Sequence, residues 1–289
     1  MSHMLCFGLG YTARFLARRM SAQGWRISGT SRTAEGVAAV AAEGWGGLHF
    51  DGTEKTTAVS AALASATHVL LSIPPDAAGD TALRHHGPDL AAAPHLAWIG
   101  YLSTIGVYGD HQGGAVDEET PPSPATDRGR RRLAAELEWL AFPARTGKRV
   151  EIFRLPGIYG PGRSALDAVR AGSARRIVKP GQMFNRVHVA DIAAALEAAF
   201  TQPHRHAVYN VTDDEPAPPE DVIAYAAKLL GAPLPPAIAF EDAELSAMAR
   251  SFYGESKRVS NRRLKLGLGL KLAYPSYREG LAAIVGGLS

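Results

Sequence analysis

Gly8-Leu9-Gly10-Tyr11-Thr12-Ala13 forms a G-x-G-x-x-A run, the spacing of a strand-to-helix turn built to carry phosphate. Glycine at position 8 permits the tight turn, glycine at 10 lets backbone approach a pyrophosphate, and the small Ala13 lets helix and strand pack closely. Tyr11, Thr12 and Ala13 then open a helix whose N–H groups and positive dipole end suit an anion. A glycine triplet alone fits any tight turn. Here it stands at the first strand-to-helix junction, with a second strand ending at the expected distance of about 20 residues, so the chemistry it points to is dinucleotide binding.

The end of that second strand reads Thr30-Ser31-Arg32-Thr33. NAD sites place a carboxylate there for the ribose 2′-hydroxyl, whereas Ser31 and Arg32 can grip a 2′-phosphate, which makes NADP the first choice of cofactor and NAD the second. Arg32 solvating a loop end is the plain alternative. Asp51, closing a third strand, either accepts from an adenine amino group or holds a turn. Ser72, before Ile73-Pro74-Pro75, either lines the nicotinamide side or only ends a strand.

These residues need a frame to hold them. From Met4 to about Gly109 short β-like runs alternate with alanine-rich stretches of helical period, the pattern of βαβ units around a parallel sheet. Strands are expected at Leu5–Phe7, Arg26–Thr30, Leu48–Phe50, His68–Ile73 and His95–Ser103, with helices at Ala13–Gln23, Gly36–Glu43, Thr56–Ala64 and Thr81–Ala92. A further helix, Asp127–Ala144, with apolar residues at Leu133, Leu137 and Leu140, leads into a strand at Val150–Leu155. Proline then punctuates the chain, at Pro180, Pro203, Pro216 and Pro233 among others, as in a looped lobe. The fold class is therefore α/β, a Rossmann-type doubly wound parallel sheet with a smaller C-terminal lobe. The dinucleotide domain is expected over 4–162 with 186–211 returning to it, and the substrate lobe over 163–185 and 212–289.

Three segments carry a resemblance: Tyr101-Leu102-Ser103-Thr104-Ile105-Gly106-Val107-Tyr108-Gly109, Arg154-Leu155-Pro156-Gly157-Ile158-Tyr159-Gly160-Pro161-Gly162, and Val187-His188-Val189-Ala190-Asp191. In this order, with Tyr209-Asn210-Val211 after them, the chain resembles the extended short-chain dehydrogenase/reductases of the NAD-dependent epimerase/dehydratase type. That resemblance implies epimerisation, dehydration or reduction of a nucleotide sugar or a sugar-like small molecule. By the same resemblance, Thr104 matches the catalytic Ser/Thr whose hydroxyl bonds the reacting oxygen.

The family's Tyr-x-x-x-Lys pair is absent. Counting back from Leu133-Ala134-Ala135-Glu136 puts Arg128 in the tyrosine position and Arg132 in the lysine position. Arg132 can still donate to nicotinamide-ribose hydroxyls. Arg128, a guanidinium with donors and no acceptor, cannot act as a base; on one face with Arg132 it points at cofactor or substrate phosphates, with a solvated helix start as the plain alternative. Tyr108 is the nearest phenol in sequence and the candidate acid/base, with Arg128 and Arg132 expected to lower its pKa. Tyr159 and Arg186 complete the substrate-binding candidates. The rival reading is a dinucleotide-binding sensor or partner-binding module without turnover.

Composition excludes other classes. A net charge of +3 over 289 residues, with 46% apolar and 20% charged residues, gives little footing to nucleic acid. No apolar run reaches the roughly 20 residues that span a bilayer. The single cysteine, Cys6, reads as a small buried hydrophobe in a cytoplasmic protein. The start Met1-Ser2-His3-Met4 is set aside as an expression remnant. His85-His86 and His204-Arg205-His206 lack a third ligand at zinc spacing, so no metal is expected. The expected partner is a small-molecule substrate, with a homodimer as the assembly.

Overall fold

The computed structural model describes residues 1–202 and 205–287; Pro203 and His204 lie outside them. The first stretch alternates β1 His3–Phe7, α1 Tyr11–Ala22, β2 Arg26–Ser31, α2 Ala34–Ala41, β3 Gly46–His49, α3 Thr57–Ser65, β4 His68–Leu71, α4 Thr81–Ala92 and β5 Trp98–Thr104. There follow β6 Ala115–Val116, α5 Asp127–Thr146, β7 Val150–Leu155, β8 Gly157–Tyr159, α6 Ala165–Arg170, β9 Arg176–Val178, β10 Arg186–His188, α7 Val189–Thr201 and β11 Val208–Asn210. The chain ends through α8 Pro219–Leu229, β12 Ala237–Ala239, α9 Ala247–Phe252, β13 Arg258–Val259, α10 Arg262–Gly267 and α11 Tyr277–Val285.

Seven strands form one parallel sheet in the order β11-β7-β5-β4-β1-β2-β3. Sheets covered on both faces read as apolar runs rather than alternations, and all residues of β1 and of β7 are buried. The order reverses between β1 and β4, so the loops after these two strands diverge and leave a crevice at their carboxyl ends. Burial pushes the Cys6 thiol of β1 up to about 12, which leaves it inert at neutral pH.

One expectation is corrected here, and one helix shows its buried face. His3 and Met4 belong to β1, and the buried His3 ring bonds the Ser28 hydroxyl at 2.9 Å and the Ser65 hydroxyl at 3.1 Å. On α5 the buried face carries Ala135, Glu136, Trp139 and Phe142, while Leu137 points outward at 59% exposure. A three-to-four spacing marks a helix without telling which stripe meets the core.

The chain forms two compact units: 1–103 with 130–153 and 196–209, and 104–129 with 154–195 and 210–289. The second takes segments that the sequence assigns to the dinucleotide domain, because the chain leaves the sheet at the carboxyl ends of β5 and β7. It contains three small parallel pairs, β8 with β10, β9 with β12 and β6 with β13. β10 was expected to return to the main sheet and pairs with β8 instead. Among the described residues no helix is long and apolar enough to cross a membrane.

Gly100 shows how tightly β5 is packed. Trp98, two residues earlier on the same face, folds its ring over Gly100, so an added Cβ would sit 2.1 Å from Trp98 Cη2. That ring donates its Nε1–H to the buried Glu151 carboxylate at 2.8 Å. Gly100→Ala is expected to cost about 1–3 kcal/mol through overpacking, read as a lower urea midpoint; an unchanged midpoint would mean the ring moves aside freely.

Candidate dinucleotide and substrate sites

The turn after β1 is fastened to β2. Gly8 N–H donates to Thr30 Oγ1 at 2.8 Å and Leu9 N–H to the Thr30 carbonyl at 3.2 Å. Gly8 takes φ +82°, and a Cβ there would lie 2.6 Å from Ile73 Cγ2 and 3.6 Å from the Ser72 carbonyl carbon, so Gly8 and Ser72 stand together at the β1/β4 reversal. Gly10 is the N-cap of α1 with no side-chain cap, and the first helical bond comes only at Arg14 N–H to Gly10 O, 2.9 Å. A Cβ on Gly10 would meet nothing within 4 Å. Thr12 and Ala13 are buried beneath the turn, and the Tyr11 ring packs on Phe15. The result is a helix N-terminus with no side-chain cap at Gly10 and open space beside that residue, as a pyrophosphate needs.

Ser31 ends β2, and its hydroxyl occupies the place where a Cβ on Gly36 would stand, 1.9 Å away. Arg32 is exposed and makes no ion pair among the described residues, whereas Arg14 and Arg18 share Glu43 and Arg84 takes Asp76. Glu35, in the first turn of α2, is held below the usual carboxylate range by its own N–H and by Thr33. Asp51 holds a turn: Oδ1 accepts from Thr53 N–H at 2.9 Å and Thr53 Oγ1 at 2.6 Å, and these bonds keep its pKa low.

Arg132 on α5 is locked to β5. Its Nη1 donates to the Leu102 carbonyl at 2.9 Å and to Tyr101 Oη at 3.0 Å, with the guanidinium 5.4 Å from the Tyr101 ring centre. Nε and Nη2 have no protein partner among the described residues. The neighbouring Ser103 hydroxyl donates to the buried Glu136 carboxylate. The phenol facing Arg132 is thus Tyr101, itself wholly buried.

In the second unit, Thr104 Oγ1 accepts from Gly106 N–H at 3.1 Å, which leaves its own O–H free to donate. The role expected of Tyr108 is corrected. Its side chain is fully buried, its hydroxyl donates to Asn210 Oδ1 and accepts from Arg154 Nη1, each at 2.9 Å, and burial raises its pKa despite Arg154. A phenol so enclosed is a structural tie rather than an acid/base. Arg128 is exposed, with its guanidinium 5.9 Å from the Phe252 ring centre. The next residue must be glycine, since a Cβ on Gly129 would lie 2.8 Å from Pro124 Cβ and 3.1 Å from the Gly106 carbonyl. The start of α5 is thereby seated on the turn that follows Thr104.

A cleft of about 470 Å³ lies in the second unit, lined by Arg163, Arg175, Arg186, Tyr159, Tyr277 and Val222 among others. Arg186 spends Nη1 on the Phe184 and Ala217 carbonyls, at 2.9 and 3.0 Å, and makes no ion pair among the described residues. Tyr159 donates to the Ser276 carbonyl at 3.2 Å and is largely buried. Its hydroxyl stands 2.1 Å from where a Cβ on Gly280 would be, so α11 must carry glycine there. Sequence reasoning named Tyr159 and Arg186 and missed Arg163, Arg175 and Tyr277. Only Arg163, directly after Gly160-Pro161-Gly162, had a local signal. No group of three His, Cys, Asp or Glu side chains among the described residues could hold a metal.

No family model matches the sequence. Protein YeeZ of Escherichia coli K12 is 30% identical over 295 residues, covering 95% of this chain and 97% of that one. A solved protein of unknown function from Silicibacter pomeroyi is 50% identical with a TM-score of 0.90, over 99% of both chains. A putative NAD-dependent epimerase/dehydratase from Methylobacillus flagellatus is 27% identical with a TM-score of 0.70, over 99% of this chain and 98% of that one.

Removing the Tyr108 hydroxyl takes one partner each from Asn210 and the buried Arg154. Tyr108→Phe is expected to lose about 1–3 kcal/mol of stability, the scale of leaving buried polar groups short of a bond, with dinucleotide affinity unchanged. Thermal unfolding and a cofactor titration on one preparation measure both; wild-type stability would remove the hydroxyl's role as a tie.

Proposed function

This chain belongs to the extended short-chain dehydrogenase/reductases of the NAD-dependent epimerase/dehydratase type, and from that membership we propose that it is an NADP(H)-dependent oxidoreductase acting on an anionic, sugar-like or nucleotide-sugar substrate. The observation that carries the reading is the uncapped N-terminus of α1 behind Gly10. The residues fit a dinucleotide: α1 amides toward the pyrophosphate, Ser31 and Arg32 toward the 2′-phosphate, and the spare Nε and Nη2 of Arg132 toward ribose hydroxyls. The cofactor, when bound, supplies or accepts a hydride.

The chain's own polar groups favour reduction. Oxidising an alcohol requires a base to take the hydroxyl proton, and a guanidinium such as that of Arg128 offers donors and no acceptor. Arg128 and the Thr104 hydroxyl can instead stabilise the negative charge that hydride addition places on a substrate oxygen, with water supplying the proton that completes the alcohol. Arg163, Arg175 and Arg186 in the cleft suit the phosphate or carboxylate of the same substrate. The non-catalytic binder keeps one observation in its favour, the enclosure of Tyr108.

NADPH is expected to bind at least about tenfold tighter than NADH, and Arg32→Ala to erase the difference, since one charge-assisted contact is worth more than the 1.4 kcal/mol of a tenfold ratio. Titration by nicotinamide fluorescence reads both; an equal wild-type preference for NADH would return the site to NAD.

Gly10→Val is expected to abolish binding of both dinucleotides while melting as the wild type does, because its side chain enters space the protein leaves open. A folded variant that still binds would overturn the phosphate-turn assignment.

A further inference from the structure

Three consecutive acids follow β11, and the structure treats them differently. Asp214 pairs with Lys265 at 2.6 Å and accepts from Asn261 Nδ2 at 2.7 Å, and Glu215 pairs with Arg278 at 3.1 Å. Asp213 makes no ion pair among the described residues. It is 2% exposed, its Oδ1 has only the Glu215 N–H at 3.3 Å, and its Oδ2 is buried with no hydrogen-bond partner. A carboxylate in that position lacks the donors its charge needs.

The cation acting on it is Arg186. Asp213 N–H donates to the Arg186 carbonyl at 2.8 Å, which fixes the two residues side by side. Arg186 lines the cleft, is mostly withdrawn from water, and offers Nε and Nη2 with no protein partner among the described residues. The other groups acting on Asp213 are the carboxylates of Asp214 and Glu215, and the Tyr159 phenol on β8 acts on it from the cleft side. Lys265 and Arg278, from α10 and α11, are already spent on Asp214 and Glu215.

We propose that Asp213 is a specificity-determining residue of the cleft: protonated, it leaves Arg186 uncompensated for a phosphate or carboxylate on the ligand, and ionised, it competes with that ligand for Arg186. This rests on reading the cleft as the substrate's anion site. Burial, the largest influence, moves the Asp213 carboxyl up to about 8, against the opposing pull of Glu215 N–H and Arg186. The two forms therefore exchange in the neutral to mildly alkaline range, and the cleft holds anions better on the acid side of it. The same burial has a ligand-free signature. A carboxyl whose folded pKa lies above its unfolded value adds stability at low pH and loses it as pH rises toward about 8.

The probe is uridine diphosphate, titrated calorimetrically into the whole chain at about pH 7 and about pH 8.5. Wild type is expected to bind at least about threefold more weakly at the higher pH, following loss of the neutral acid, while Asp213→Asn keeps one affinity at both. Thermal unfolding followed from about pH 5 to about pH 8 should show the wild-type decline flattened in Asp213→Asn. Binding with the same pH dependence in both proteins overturns the role of Asp213 alone. Absence of binding in both overturns the cleft reading and the proposal with it. An Asp213→Asn that binds more weakly than wild type at the lower pH also overturns it, since the amide is the stand-in for the neutral acid.

Discussion

The N-terminal unit turns on how the first strand ends. Two backbone amides after β1 are satisfied by Thr30 of the neighbouring strand, and that attachment bends the chain at Gly8 into a conformation favourable only without a side chain. Because the turn's own donors are consumed sideways, those at the start of α1 are left facing outward with no cap. Strand order does the rest: with β4 rather than another early strand beside β1, Ser72 and Ile73 close the other wall of the crevice. Arg32 and Asp51 are placed by the ends of β2 and β3 in the same sheet.

On the proposed alignment, Arg128 and Arg132 take the places of the family's tyrosine and lysine, which changes the chemistry available without emptying the positions. A lysine is one point charge, whereas Arg132 spends a single nitrogen on Leu102 and Tyr101 and keeps further donors. Arg128 gives up proton transfer and keeps charge. Both changes push in one direction, toward binding and stabilising anions and away from removing protons from neutral hydroxyls.

Much of this was legible in the residues. The strand Val150–Leu155 and the helix Thr81–Ala92 have the bounds expected of them, because a buried parallel strand and an aspartate-capped helix advertise themselves locally. The glycine turn was readable for the same reason. Tyr108 was not: its neighbours Arg154 and Asn210 come from distant strands, and proximity in sequence to Thr104 said nothing of burial. The cleft arginines were scattered between separate short elements, and only the fold assembles them.

Tyr159 seated against Gly280 has a consequence for how the molecule comes into being. A ribosome delivers β8 long before α11, yet Tyr277 and Leu281 form one wall of the cleft and Gly280 receives the Tyr159 hydroxyl. The glycine turn of α1 emerges well before the segments that complete the cleft. A nascent chain lacking α11 would therefore carry the finished glycine turn beside a cleft still missing one of its walls.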